Sequence, residues 1–290
     1  MNMNGIEYSL PEVILLQESG IGTAEYAART CYDSFENSEN DDVEYLNILL
    51  EEGRGNEKNI IDPLIEGVNE IESSELLDSL AWVHHHHSII EHTNLSYLIQ
   101  GTSRGTLQEH ARHRLQAISV RSTRYTMQEI LNIFCASRVG DNTGPYFFKK
   151  KIKELNMFVL KGEMLDLEIE QMYDKLYRHY SIIGYEEFYK LALSKDAQEK
   201  RFSKELWQKE ELLEALNNSK KKRNVGDAFK YIVTDNWKVD MVVTFNLRSL
   251  KNYFELRDSG AAYFQIQWLA KAMKEVTPKK YLRLIDKDYK

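Results

Sequence analysis

Cysteine is nearly missing from this chain of 290 residues. Cys31 and Cys135 are the only two, with no metal-type spacing between them, which excludes a disulfide scaffold. Proline is scarce at four residues, and no Gly/Ser linker interrupts the sequence. Both absences argue against a string of independent modules and for one domain over 1–290. No apolar run approaches the ~20 residues of a membrane helix. The opening MNMNGIEYSL lacks the basic-then-apolar layout of a secretory signal, so the cytoplasm is the expected compartment. No repeat of fixed period stands out. Positive charge is also in deficit: 38 Lys+Arg against 45 Asp+Glu, a formal net charge of −7. Proteins that wrap nucleic acid are usually basic. Neither a nucleic-acid nor a membrane partner is therefore expected. Any anion site must be a local basic patch on an acidic body, which suits a small phosphorylated ligand.

What is present reads as an ordinary globular chain, 42% hydrophobic and 29% charged. EVILLQE (12–18) predicts a strand, and TAEYAARTCYDS has helical spacing. ENSENDDVE reads as a solvated acidic loop, with a helix near Tyr45–Glu52. SSELLDSLAWV (73–83) opens with N-cap chemistry. TNLSYLIQG alternates as a strand, and TSRGTLQEHARHR follows as a helix capped by Thr102 or Ser103. Later segments, among them YFFKKKIKEL, LDLEIEQMYDKLYRHY, SKELWQKEELLEALNN and AAYFQIQWLAKAMKEV, carry apolar residues at three- and four-residue intervals. NSKKKRN is a charged turn, and Pro278 stops the last long helix. The expected fold is α+β: a single domain with a central mixed or antiparallel sheet, flanking helices and a helix-rich C-terminal half.

Three constellations could carry chemistry. QEHARHRLQAISVRSTRY (108–125) packs Arg112, His113, Arg114, Arg121 and Arg124 among small hydroxyls. Guanidinium forks and hydroxyls grip phosphate oxygens, although a solvated basic face has the same charges. If the triplet converges on one ligand, the helix must end there and give way to an irregular segment, since helical neighbours splay by ~100°. FNLRSLKNYFELR (245–257) is an amphipathic helix pattern; Asn246 and Arg257, eleven apart, would project in nearly one direction. The third is WVHHHHSIIEH (82–92), which holds five of the eight histidines. Adjacent histidines cannot converge tetrahedrally, and no HExxH pattern occurs. No metal site is expected; His84 and His85 would finish the preceding helix, Glu91 and His92 would shape the entry to the next strand, and His86 and Ser88 would face a ligand.

In this order the motifs resemble the flavin-dependent thymidylate synthases. That family's signature is Arg-His-Arg, seven residues, then Ser. Here it reads Arg112-His113-Arg114, LQAISVR, Ser122, continuing TRY. HHSIIEH matches the upstream His-x-Ser/Thr-x-x-Glu-His through His86, Ser88, Glu91 and His92, AARTCY (27–32) resembles the first-helix motif, and NLRSLKNYFELR matches the downstream one. The resemblance implies a homotetramer that methylates dUMP to dTMP, with methylenetetrahydrofolate as carbon donor and NADPH supplying hydride through FAD. It implies that His86, Ser88, Arg112, His113, Arg114, Asn246, Arg248 and Asn252 touch FAD. Glu109, Arg112, Ser122, Thr123, Arg124 and Lys230 would bind dUMP, with Ser122 a substrate-binding hydroxyl rather than a nucleophile. Arg257 would face the uracil and favour ionisation at N3.

The chain departs from the family in places. Ala117, Ser119 and Val120 stand in the seven-residue gap where Ser, Asn and Glu are common. Glu109 replaces a common Gln and Lys230 a common Arg; Val233-Thr234 replaces Leu-Pro, and Ala261 stands where some members have His. SVRSTRY differs only by Lys to Arg from one subgroup's signature. These departures define the alternative, an FAD- and nucleotide-binding regulator impaired in catalysis. A helical insertion around 142–222 accounts for the extra length.

Overall fold

The computed structural model describes residues 1–138, 144–192 and 226–289, with the side chains of Arg124, Tyr125 and six others outside the description. In chain order the strands are β1 (Asn2–Met3), β2 (Ile6–Glu7), β3 (Glu12–Glu18), β4 (Asn94–Ser103), β5 (Gln116–Val120) and β6 (Lys238–Asn246). The helices are α1 (Gly22–Tyr32), α2 (Asp41–Glu51), α3 (Lys58–Asn69), α4 (Glu75–Trp82), α5 (Arg104–His110), α6 (Thr123–Ser137), α7 (Gly144–Glu154), α8 (Gly162–Ile183), α9 (Tyr185–Ala192), α10 (Gly226–Phe229), α11 (Leu247–Arg257), α12 (Phe264–Val276) and α13 (Lys279–Ile285). The class is α+β, as expected. The chain forms two compact units: one comprises 1–10, 103–105 and 121–239, the other 11–102, 106–120 and 240–290.

The second unit holds a four-stranded sheet in the order β3-β4-β6-β5. β3 runs antiparallel to β4 and β5 antiparallel to β6. Ser96 bonds Thr244 at 2.8 Å and the Gly101 amide donates to Asp240, tying β4 to β6 in the opposing sense. Alternation sends Leu95, Tyr97, Ile99, Met241, Val243 and Phe245 into the core, where helices including α1, α4, α11 and α12 supply Ala28, Leu80, Leu250 and Leu269. Ile14, Leu16 and Val242 are exposed large apolar residues. Helix α1 crosses α3 so closely that a Cβ on Gly22 would lie 1.7 Å from the Val68 carbonyl oxygen; only glycine fits. The C-terminal helices are pinned by polar contacts, among them Trp82 Nε1 to the Arg283 carbonyl at 2.8 Å and Tyr97 to Thr277 at 2.9 Å.

The first unit has its own core, built on Phe134, Phe148, Ile169, Leu176, Phe188 and Phe229 from α6 to α10, with Trp237 just before β6. The β1–β2 pair also belongs to it. Of the insertion expected at 142–222, α7, α8 and α9 are helical. SKELWQKEELLEALNN and NSKKKRN lie outside the described residues.

Two local expectations are corrected and a third is narrowed. The acidic stretch is not loop throughout: Asn40 accepts from the Asp42 amide, so α2 starts at Asp41, and its first-turn acids suit the positive end of the helix dipole. His84 and His85 do not finish α4. That helix stops at Trp82, the amides of Val83 and His84 both turn back to the Ser79 carbonyl, and His85 takes a left-handed φ of 55°. Finally, the irregular segment at the Arg-His-Arg triplet is short, ending at Leu115. Gln116–Val120 is β5, because pairing with Met241–Phe245 satisfies its backbone, a long-range effect that periodicity does not register.

Candidate active site

In the second unit an open cavity of about 790 Å³ is lined by two sequence-distant segments and His87. One segment is Arg112–Leu115, the other a face of α11 through Arg257. Helix α5 ends at His110, and the Gln116 amide closes the following turn by donating to the carbonyls of His110 (3.1 Å) and His113 (2.8 Å). The triplet therefore leaves the helix, as convergence required. Strand β6 runs directly into α11, whose N-cap is Asn246; its Oδ1 accepts from the Ser249 amide at 2.8 Å. Leu247, Leu250 and Phe254 go to the core. The 3.6-residue period then turns Arg248, Lys251, Asn252 and Glu255 to the cavity.

The lining is strongly cationic. Arg112, Arg114, Arg248, Lys251 and Arg257 face only Glu255 among lining acids. This is the local basic patch that an acidic chain with an anionic ligand requires. Several cations are held by partners. Arg248 pairs with Glu91, the residue expected to shape that loop. Arg112 pairs with Glu109 at 3.3 Å while staying 71% exposed. Lys251 lies 3.7 Å above the Trp82 ring, and burial pulls its pKa below the ordinary lysine value, opposed by Glu255.

Arg257 is held most firmly. It donates Nε–H to His113 Nε2 at 2.8 Å, Nη1 to Glu109 Oε2 at 3.1 Å and Nη2 to the Glu109 carbonyl at 3.1 Å. Burial first, then the Arg257 and Arg112 guanidiniums, push His113 down to about 4. Behind it His110 is fully buried, bonds Tyr253 Oη through Nδ1 at 3.1 Å, and is also pushed down to about 4, mainly by burial. Burial raises the Tyr253 hydroxyl. The rings of His113 and Tyr253 meet edge-on, 4.8 Å apart.

Of the residues picked out in the sequence, Arg112, His113, Arg114, Arg248, Asn252 and Arg257 line this cavity, and Glu109 contacts two of them. His86 pairs its Nδ1 with Tyr32 Oη at 2.8 Å, Ser88 precedes the 3₁₀ turn Ile89–His92, and Asn246 caps α11 rather than sharing a helical face with Arg257. None of those three is in the lining. Ser122, Thr123 and Lys230 belong to the first unit, where Thr123 Oγ1 accepts from Arg104 at 3.5 Å and the exposed Lys230 opens a 3₁₀ turn. The side chain of Arg124 lies outside the described residues. The sequence reading passed over His87, Ser249, Lys251, Glu255 and the supporting pair His110 and Tyr253. The three- and four-residue steps from Arg248 through Lys251 and Asn252 to Glu255 were the available signal.

The family model for the thymidylate synthase complementing protein matches residues 15–281. The chain belongs to that family. The match runs through both units and both cavity segments. Curated relatives of this thymidylate synthase family include the flavin-dependent thymidylate synthase of Campylobacter jejuni, 26% identical over 270 residues and covering 93% of each chain. That of Wolinella succinogenes is 27% identical over 269 residues, covering 93% of this chain and 94% of its own. Among solved structures, the Helicobacter pylori flavin-dependent thymidylate synthase complexed with FAD and dUMP has a TM-score of 0.57 at 22% identity, covering 95% of this chain and 98% of that one. At that identity the likeness speaks for the fold.

Proposed function

We propose that this chain is a flavin-dependent thymidylate synthase: it methylates dUMP to dTMP by reductive transfer of carbon from 5,10-methylenetetrahydrofolate, with NADPH as hydride source through FAD. The observation that carries the reading is the cavity in which the Arg-His-Arg signature and the α11 motif meet, inside a chain matched by the family over 15–281.

The donor set fits a flavin dinucleotide. Such a ligand presents an anionic pyrophosphate and a flat ring rich in hydrogen-bond acceptors. Arg112, Arg114 and Arg248 offer charged forks to the former, and Asn252 and the neutral His113 offer polar groups to the latter. Bound there, FAD supplies the hydride relay. The protein's contribution is placement and charge: the Arg257 guanidinium stabilises negative charge developing on a pyrimidine. Glu109, Ser122, Thr123, Arg124 and Lys230 are assigned to dUMP, and His86, Ser88 and Asn246 to the flavin, by motif position.

We further propose a cytoplasmic homotetramer. Neither Cys31 nor Cys135 is in a disulfide, and Cys31 is exposed, which suits a reducing compartment. Exposed Ile14, Leu16 and Val242 give copies an apolar surface to cover. Among the described residues no helix is long and apolar enough to cross a membrane.

The deciding experiment is rescue of a thymidine-requiring host by the full chain, paired with dUMP-dependent NADPH oxidation by the purified, yellow protein. Bound FAD without rescue would favour the regulator; a colourless protein without rescue would remove the assignment.

A further inference from the structure

The contact between Arg257 and His113 fixes a proton. A guanidinium has donors and no acceptor, so His113 Nε2, receiving Arg257 Nε–H at 2.8 Å, must present its lone pair. A neutral imidazole then carries its one proton on Nδ1, because the bond made by one ring nitrogen sets the state of the other. Arg257 cannot swing away freely: two further donors are fixed on the side chain and carbonyl of Glu109. Tyr253 packs its ring against His113 and spends its hydroxyl on His110, so it does not compete for the imidazole. Among the described residues Nδ1 of His113 has no partner, and it is not a sealed atom; His113 is part of the cavity wall.

We propose that Glu109 and Arg257 are positioning residues that lock His113 as the Nδ1–H tautomer, making it a fixed neutral donor aimed at a ring acceptor of the bound cofactor. This rests on the reading of the cavity as a flavin site, and it gives Arg257 a second task besides facing substrate. A neutral donor serves an uncharged ring acceptor in every protonation state of the surrounding chain. A protonated imidazole could not sit against the Arg257 donor.

The full-length protein, labelled with ¹³C and ¹⁵N at histidine, tests the lock directly by nuclear magnetic resonance, with the His113 signal identified by its loss in His113→Asn. In the native protein without FAD the ring should be protonated at Nδ1 and bare at Nε2. In Arg257→Leu it should shift toward the Nε2–H form that a free imidazole favours. A native Nε2–H ring, or a tautomer indifferent to Arg257→Leu, overturns the lock, and neither readout needs turnover.

The donor role is tested by FAD titration of His113→Asn and His113→Gln. The asparagine amide can occupy the place of Nδ1, whereas the glutamine amide reaches that of Nε2. Asn should bind FAD within a few-fold of the native protein, and Gln about tenfold or more weaker, the loss expected when a buried acceptor goes unmatched. Equal losses overturn the donor role. Native protein that takes up no FAD overturns the flavin reading and with it the donor's target, while the tautomer measurement still decides the lock.

Discussion

Lys251 holds its ammonium 3.7 Å above the ring centre of Trp82, joining α11 to the end of α4 beneath the histidine-rich turn. The lysine is buried, and Glu255 answers its charge one turn on at 3.5 Å. A desolvated ammonium over an indole is worth up to about 2 kcal/mol. Lys251→Ala should therefore lower unfolding free energy by about 1–2 kcal/mol in urea titrations, and Lys251→Met, which keeps the packing, by less. An unchanged midpoint for the alanine variant would mean that the contact contributes nothing.

The two depressed imidazoles set an acid limb. His110 and His113 titrate near 4 in the folded chain, against about 6.5 unfolded. Above about 6.5 neither state binds the extra proton, and their contribution to stability is complete. As pH falls from there toward 4, the unfolded chain takes up protons that the native chain refuses. Stability then drops, at up to about 1.4 kcal/mol per pH unit for the buried His110 and less for the half-buried, better-screened His113. His179, lowered by burial in the first unit, acts in the same direction. Denaturation series across this range should show a shallower slope in His110→Gln, whatever that variant's absolute stability.

Asn246 makes the cap on which the cavity face of α11 depends. Asn246→Ala should cost about 1 kcal/mol and lower the melting temperature, whereas Asn246→Asp should retain most of it, since a carboxylate also accepts from the Ser249 amide. Thermal melts of the two variants side by side are the check; equal losses would remove the capping explanation.

Arg257→Ala should lower kcat/KM about 100-fold or more, the scale of losing a preorganised charge at the reacting group, with far-ultraviolet circular dichroism unchanged. Steady-state dUMP-dependent NADPH oxidation is the measurement. Near-native turnover would take Arg257 out of the reaction.

Much of the fold was legible where local chemistry decides. The strand at Glu12–Glu18 is an apolar run bounded by glutamates, and Ser74 caps α4 through the Leu77 amide. The α+β class followed from pattern, whereas the meeting of the triplet with the α11 motif was implied by the family resemblance. What stayed hidden depends on partners distant in sequence. Gln116–Val120 is a strand because β6 lies beside it, not because of its own residues. The end of α4 before the histidines is set by a left-handed residue that is not glycine. Lys251 and Glu255 looked like the solvated edge of an amphipathic helix, and Trp82 and the cavity gave them another setting. His110 was one more member of a basic cluster until burial beside Tyr253 set it apart.

Strand β6 passes into α11 with no loop, through the single residue Asn246. One residue added or removed between that cap and Arg248 would rotate every cavity-facing side chain of the helix by ~100°. Substitutions along NLRSLKNYFELR can be absorbed one at a time, but a change in its length cannot. Drift in this segment is therefore confined to point replacement, and a natural variant with an insertion there should have lost the site altogether.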